Sequence, residues 1–334
     1  MTCLSLAELP APPADKTGWP WTEESVRPSD DVLAGRRWPR ITIVTPSFNQ
    51  GQFIEETIRS ILLQGYPNLE YFVLDGGSAD NTVEIIRKYA RWIDFWVSER
   101  DSGQSAAINR GLRMGSGSHS TWINSDDMLC KDALVTHVLK HELQDDLLHI
   151  GDCVNIDGDS RLLFTHRARV HSLDDLLRVR SVWRTGGHIC QQEVLFPLPL
   201  ALRVGGLNEN NHYSMDYELW GQLFTAGARV QYTGIPFGMF RLHEAQKTYQ
   251  ISRQTDSTLD TAEALLGATD FIAPHTKQEI LAELQAYRKE YPTIAWQHTG
   301  RLARLGLPPS VVAPIRQLRK AVATAVSDLM RPAK

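Results

Sequence analysis

The sequence predicts an α/β fold, a mostly parallel central sheet with helices on both faces, followed by C-terminal helices. Three observations carry that prediction. Strand-like and helix-like segments alternate from Ile41 to Ile123 at the spacing of consecutive βα units. The acidic residues Asp75, Asp101 and Asp126 fall at or near the carboxyl ends of those strands, where open α/β sheets bind ligands. A length of 334 residues accommodates one large domain and an appendage.

Residues 1–39 hold Pro10, Pro12, Pro13, Pro20 and Pro28 with Trp19, Trp21 and Trp38. This composition reads as an N-terminal arm that lies against the domain without regular structure, and its tryptophans argue against a disordered tail. A catalytic region is placed at 40–250, divided into halves at 40–130 and 131–250. Ile41–Thr45 reads as the first strand, Pro46–Gly51 as a turn, and Phe53–Gln64 as a helix with an apolar face. Tyr71–Leu74 is the second strand, Asn81–Tyr89 a helix, Trp96–Ser98 the third strand, Ala106–Met114 a helix, and Ser120–Ile123 the fourth strand. A helix is expected over Lys131–His149 and a hairpin over Ile150–Leu163, turning at Ile156-Asp157-Gly158-Asp159. Leu173–Val179 reads as a short helix and His188–Phe196 as extended. A helix starting at Asp216 and an extended Val230–Tyr232 follow. In the helical appendage at 255–334, helices are expected at Thr258–Leu265, Lys277–Tyr291 and Val311–Met330.

Composition removes several function classes. Charged residues make up 22% of the chain and the formal net charge is -4, without a long basic run, so nucleic-acid binding is not expected. Cys3, Cys130, Cys153 and Cys190 show no CxxC spacing and no neighbouring histidine cluster in sequence, so a structural zinc is not expected and a reducing cytoplasm is the simpler compartment. Neither a signal peptide nor an apolar run of membrane-spanning length is apparent. The turn after the first strand lacks the glycine fingerprint of dinucleotide binders, and no phosphate-loop GKS or GKT occurs.

The tetrad Asn124-Ser125-Asp126-Asp127 ends the fourth strand. Carboxylates there can hold a divalent cation together with a diphosphate, and oxygen donors favour Mg or Mn over zinc. The same four residues could form a solvated turn or a helix cap. Asp75 closes an apolar strand before Gly76-Gly77, where its carboxylate reaches a ligand as the backbone turns tightly. Glu99–Gly111 supplies a polar front for a nucleotide pocket, with Asp101 in it; Arg110 would approach a diphosphate or make a surface salt bridge. Asp216 is a helix cap or a general base, and His243 an ordinary loop histidine or a metal ligand.

The blocks TPSFNQGQFIEETIRSILLQGYPNLEYFVLDGGSADNTVEII, SERDSGQSAAINRGL, WINSDD, GGLNENNHYSMDYELW and FRLHEAQKT, in this order, resemble the family 2 inverting glycosyltransferases of the GT-A fold, among them bacterial surface-polysaccharide enzymes. The resemblance covers about Ile41 to Thr248 and implies transfer of a sugar from a nucleotide-sugar donor, UDP-linked by family habit, to a glycan or lipid-linked acceptor, with Mg or Mn as cofactor. It implies that Pro46, Phe48, Asp75, Arg110, Asn124, Ser125 and Asp126 form the donor site. Asn124 replaces the first carboxylate of the family's Asp-x-Asp motif, so Asp126 and His243 become the metal ligands. Asp216 is then the catalytic base, with Met215 where the family has glutamate, and Asp127, Asp101, Tyr217 and Glu218 support the site or the acceptor. Two other readings stay open: a sugar-binding protein on a degenerate transferase domain, and a sugar-phosphate nucleotidyltransferase, which would want a basic glycine-rich loop after the first strand. The C-terminal segment caps the acceptor cleft, mediates a homodimer, or rests on the inner face of the plasma membrane through the basic amphipathic stretch around Arg316, Arg319 and Lys320, a stretch that reads first as a plain packed helix.

Overall fold

The computed structural model describes residues 3–35, 37–243, 246 and 251–302. The helix expected at Val311–Met330, with its basic stretch, lies outside the described residues.

After a short helix α1 (Asp30–Ala34), three βα units and a fourth strand run as expected: β1 (Ile41–Ser47), α2 (Ile54–Leu62), β2 (Leu69–Asp75), α3 (Thr82–Tyr89), β3 (Phe95–Ser98), α4 (Gln104–Met114) and β4 (His119–Trp122). These four strands pair in parallel in the order β3-β2-β1-β4, and the register sets Ser47, Asp75 and Ser98 side by side at their carboxyl ends. Helix α4 lies close on β1 because position 111 is glycine; a Cβ there would meet the Val44 methyl groups at 2.6 Å.

The second half is a mixed sheet. It contains β5 (Met128–Leu129), α5 (Ala133–Lys140), β6 (Leu147–Ile156), β7 (Leu162–His166), α6 (Leu173–Leu177), β8 (Val194–Pro197), α7 (Leu198–Arg203), α8 (Met215–Thr225) and β9 (Arg229–Arg241). The sheet continues from β4 through antiparallel β8 to β6, then parallel β9 and antiparallel β5, while β7 forms a hairpin with β6. The hairpin was expected. The helix over Lys131–His149 is corrected: it stops at Lys140, and Leu147–His149 begin β6. Local propensity loses here to pairing, since β6 is almost wholly buried and hydrogen-bonds to β7, β8 and β9. The extended Val230–Tyr232 grows to thirteen residues despite Pro236, because the β6–β9 register shifts around Asp152, where a missing ladder donor is tolerated.

Helices α9 (Ile251–Ala268) and α10 (Pro274–Leu302) follow. Leu259, Ala262, Leu266, Ile280, Leu284 and Tyr287 join the same buried cluster as Trp122, Trp220 and Leu223, so this segment packs into the main core. The N-terminal segment packs on α2. Arg59 is fully buried there, with its guanidinium donating to the Pro10, Pro20 and Trp21 carbonyls and to the Tyr89 hydroxyl. Each of the three guanidinium nitrogens thereby has an acceptor, as a buried cation requires.

Candidate functional site

At the end of β2 the Asp75 carboxylate is 2% exposed and is held by its own turn. Its Oδ2 accepts the Ser78 N–H at 2.9 Å and the Ser98 hydroxyl at 2.6 Å, while the Ser78 hydroxyl donates to Oδ1. The two loops at this edge are stitched together: Asn49 N–H donates to Ser78 Oγ at 2.7 Å and Ala79 N–H to Asn49 Oδ1 at 2.9 Å. Asn49 takes φ 53°, a left-handed turn that asparagine tolerates. This fixes Pro46 at the end of β1, opposite Leu74, and leaves the Phe48 ring 60% exposed beside it. Position 76 is glycine because Asp101 packs on it; a Cβ would stand 3.2 Å from both Asp101 oxygens. Asp75, Asp101 and Arg110 line one pocket of about 270 Å³. Arg110 forms an ion pair with Glu99 at its mouth, the surface pairing the sequence left open.

The Asn124–Asp127 turn occupies the next strand end. Asn124 bridges: its Oδ1 accepts from Gln104 Nε2 at 2.8 Å, and its Nδ2 donates to Asp127 Oδ2 at 3.2 Å. Ser125 is buried, its side chain turned from the surface. Asp127 is 1% exposed and accepts three N–H groups, from the Arg241 backbone at 2.9 Å, Gln192 Nε2 at 2.5 Å and Asn124. Burial, and then the charge of Asp126, push its carboxyl above the usual range. Asp127 therefore shapes the turn from within. Asp126 points the other way, and its Oδ2 lies 2.9 Å from His243 Nε2 across 117 residues of chain. The His243 ring packs on Phe53, centroids 4.9 Å apart. A carboxylate oxygen and an imidazole nitrogen so close form half of a cation site, in which an ion would replace their mutual contact.

Sequence reasoning missed what holds this pair in place. Arg241 is 1% exposed; its Nε donates to the Asp126 carbonyl at 2.7 Å, one terminal nitrogen pairs with Glu56 Oε2 at 2.6 Å, and the other donates to Ser160 Oγ at 2.8 Å. Arg241 stands two residues before His243 on β9, so one side chain positions both ends of the Asp126–His243 contact. Gln191 and Gln192 were missed as well. The Gln191 amide donates to the Trp122 carbonyl, and Gln192 to Asp127. Their turn touches β9 so closely that a Cβ at Gly238 would meet the Gln192 carbonyl at 2.1 Å. A polar run Gln191-Gln192-Glu193 inside an apolar extended segment was the signal available.

Asp216 sits in the first turn of α8, its Oδ1 accepting the Tyr217 N–H at 2.8 Å. This turn abuts α4, where the Ser105 hydroxyl reaches the Met215 sulfur. The adjoining Gln104 bonds Asn124, so the α8 start and the Asn124–Asp127 turn share one neighbour. Tyr217, expected to support the site or the acceptor, is buried in the core; its hydroxyl donates to the Leu176 carbonyl at 3.0 Å and its ring meets Trp183 edge-on. At helical spacing one residue beyond Asp216 turns about 100° away, which points Tyr217 inward. It supports α8. Glu218 accepts from Asn208 at 3.0 Å and Asn211 at 2.6 Å, holding the loop that leads into the helix.

Comparison with known proteins bears on the whole arrangement. Residues 42–196 match the sequence model of glycosyl transferase family 2. An uncharacterised glycosyltransferase of Rickettsia typhi is 26% identical over 247 residues, 73% of this chain and 74% of that one. A putative teichuronic acid biosynthesis glycosyltransferase of Bacillus subtilis, TuaG, is 34% identical over 100 residues, 29% of this chain and 39% of that one. Among solved structures, S. aureus TarS 1-349 in complex with UDP-GlcNAc superposes with TM-score 0.57 at 12% identity, covering 86% of this chain and 92% of that one. The Pyrobaculum calidifontis mannosyltransferase PcManGT, in complex with GDP-Man and Mn2+, gives TM-score 0.54 at 20% identity, covering 89% of each chain. These likenesses show the GT-A fold.

Proposed function

We propose that this chain, whose residues 42–196 match glycosyl transferase family 2, moves a sugar from a UDP-linked donor to a hydroxyl of a glycan or lipid-linked acceptor, with inversion, in a metal-dependent single displacement. The observation that carries this reading is the Asp126–His243 contact at the carboxyl edge of the sheet, 2.9 Å across and buttressed by Arg241. Asp126 and His243 fit a divalent cation: they supply one hard carboxylate oxygen and one imidazole nitrogen, a set that Mn accepts more readily than Mg. Such a cation, when bound, neutralises the charge that develops on the departing nucleoside diphosphate.

The protein's own groups do the rest. Asp75 and the exposed Phe48 ring flank the place of the nucleobase, the carboxylate accepting from its edge and the ring stacking on its face. Asn124 holds the turn through Gln104 and keeps Asp127 oriented, so that Asp126 faces the diphosphate. Asp216 removes the proton of the acceptor hydroxyl as its oxygen attacks the anomeric carbon from the face opposite the diphosphate. Its place in the first turn of α8 favours the ionised carboxylate, because the helix N-terminus carries partial positive charge. The leaving group is already activated, so no protonating carboxylic acid is needed. The TarS complex with UDP-GlcNAc and the PcManGT complex with GDP-Man and Mn2+ support a nucleotide-sugar donor and a divalent cation for this fold.

Release of nucleoside diphosphate from a panel of sugar nucleotides, with Mn, Mg or chelator, tests the proposal. Asp126→Asn should lose metal-dependent donor binding and turnover together. Asp216→Asn should bind donor normally and lose turnover. An Asp216→Asn enzyme at full rate, or a product that keeps the donor's anomeric configuration, would overturn the assignment.

A further inference from the structure

A second group of ligand-type side chains stands on β6, β7 and the segment before β8, and the transfer chemistry above uses none of it. Cys153 of β6 is paired opposite His166 of β7. The chain at 188–193 folds over the same point, so that a ring nitrogen of His166, a ring nitrogen of His188 and the Cys190 sulfur lie within 4.8 Å of one another. The two imidazoles stack with centroids 4.1 Å apart. His166 Nε2 meets the His188 carbonyl at 2.7 Å, a contact that puts the ring proton on Nε2 and leaves Nδ1 as the lone-pair nitrogen. On the far side of Cys190, the Cys153 sulfur and a Glu193 carboxylate oxygen form a second trio with it at the same spacing. Glu193 is fully buried; Oε1 accepts the Cys190 N–H at 2.9 Å, while Oε2 has no hydrogen-bond partner.

We propose that His166, His188 and Cys190 hold a thiophilic divalent cation of the zinc type, separate from the cation of Asp126 and His243. Two imidazoles and a thiolate select zinc over Mg and Mn. Zn–S and Zn–N bonds of about 2.3 and about 2.1 Å place tetrahedral ligands about 3.5 Å apart, inside the 4.8 Å within which these three atoms already lie. The cation displaces the Cys190 thiol proton to solvent, and the half-buried site leaves the fourth position to water. Strand pairing thus assembles what the sequence keeps apart, against the expectation of no zinc. The consequence reaches the transferase site, because the tethered segment carries Gln191 and Gln192, which bond the Trp122 carbonyl and Asp127.

The test is zinc titration of the chelator-stripped full chain against a chromophoric competitor, together with the spectrum of the Co2+-loaded protein. One equivalent of zinc and a thiolate-to-cobalt charge-transfer band are expected. Cys190→Ser and His188→Gln should weaken binding about tenfold or more, and Asp126→Asn should leave it unchanged. Should Cys190→Ser fail to fold, His166→Gln on the rim of the hairpin reads the same loss. Absence of zinc binding by the parent protein would overturn the proposal. Zinc retained by His166→Gln but lost by Cys153→Ala would equally overturn this ligand set.

Discussion

Acidification should destabilise this protein through two buried histidines. His137 of α5 and His149 of β6 are both fully buried with ring centroids 5.1 Å apart, and neither nitrogen of either ring has a hydrogen-bond partner among the described residues. His119 and His141 face the pair, and Phe237 packs on His137 edge-on. Burial, helped by the neighbouring imidazoles, pushes His137 down to about 3 and His149 down to about 4. In the unfolded chain both return to about 6.5, so below that pH the unfolded state binds more protons and stability falls with pH. The sign is thus full stability above about pH 6.5 and progressive loss toward the folded-state values. Between pH 7 and pH 5 each ring contributes a loss of about 2 kcal/mol, and the pair about 4 kcal/mol, a large share of the stability of a typical domain. Urea unfolding at pH 7, 6 and 5 measures this for the parent and for His137→Leu/His149→Leu. The double variant should differ in absolute stability yet lose about 4 kcal/mol less over the same range. Equal pH dependence in both proteins would refute the reasoning, since it would mean that the rings titrate alike in the folded and unfolded states.

Arg241→Met should destabilise the fold by about 3–5 kcal/mol by leaving Glu56 buried without its cation, as read by urea unfolding; because the Asp126 carbonyl loses its donor too, Mn binding measured by calorimetry should weaken in the fraction that folds. Asn124→Asp restores the carboxylate of the Asp-x-Asp pattern but replaces a donor to Asp127 with a like charge beside a carboxyl already pushed up by burial. It should lower stability at neutral pH by about 1–3 kcal/mol and leave Mn affinity no tighter, with thermal melts and Mn titration as the two readouts.

The donor-side half of the fold was legible in the sequence because its signals are local. Apolar strands, amphipathic helices and the turns between them repeat at βα spacing, and each strand end declares itself by a polar or acidic residue such as Asp75 or Asp126. The second half was less legible. Leu147–His149 reads as helix until β8 and β9 pair with it, and β9 runs through Pro236 only because a register shift absorbs the missing donor. Tyr217 looked like a site residue beside Asp216, yet helical rotation buries it against Trp183. The sequence by itself determined the fold class, the family-type blocks and the separate carboxylates and histidines. The tertiary structure alone decided which of them meet: Asp126 with His243 through a buried Arg241, Asp127 with Gln192, and His166 with His188 and Cys190. The physical reason is range. Propensity and periodicity act over a few residues, whereas a buried charge or an unpaired polar atom is satisfied by whichever strand the sheet brings beside it.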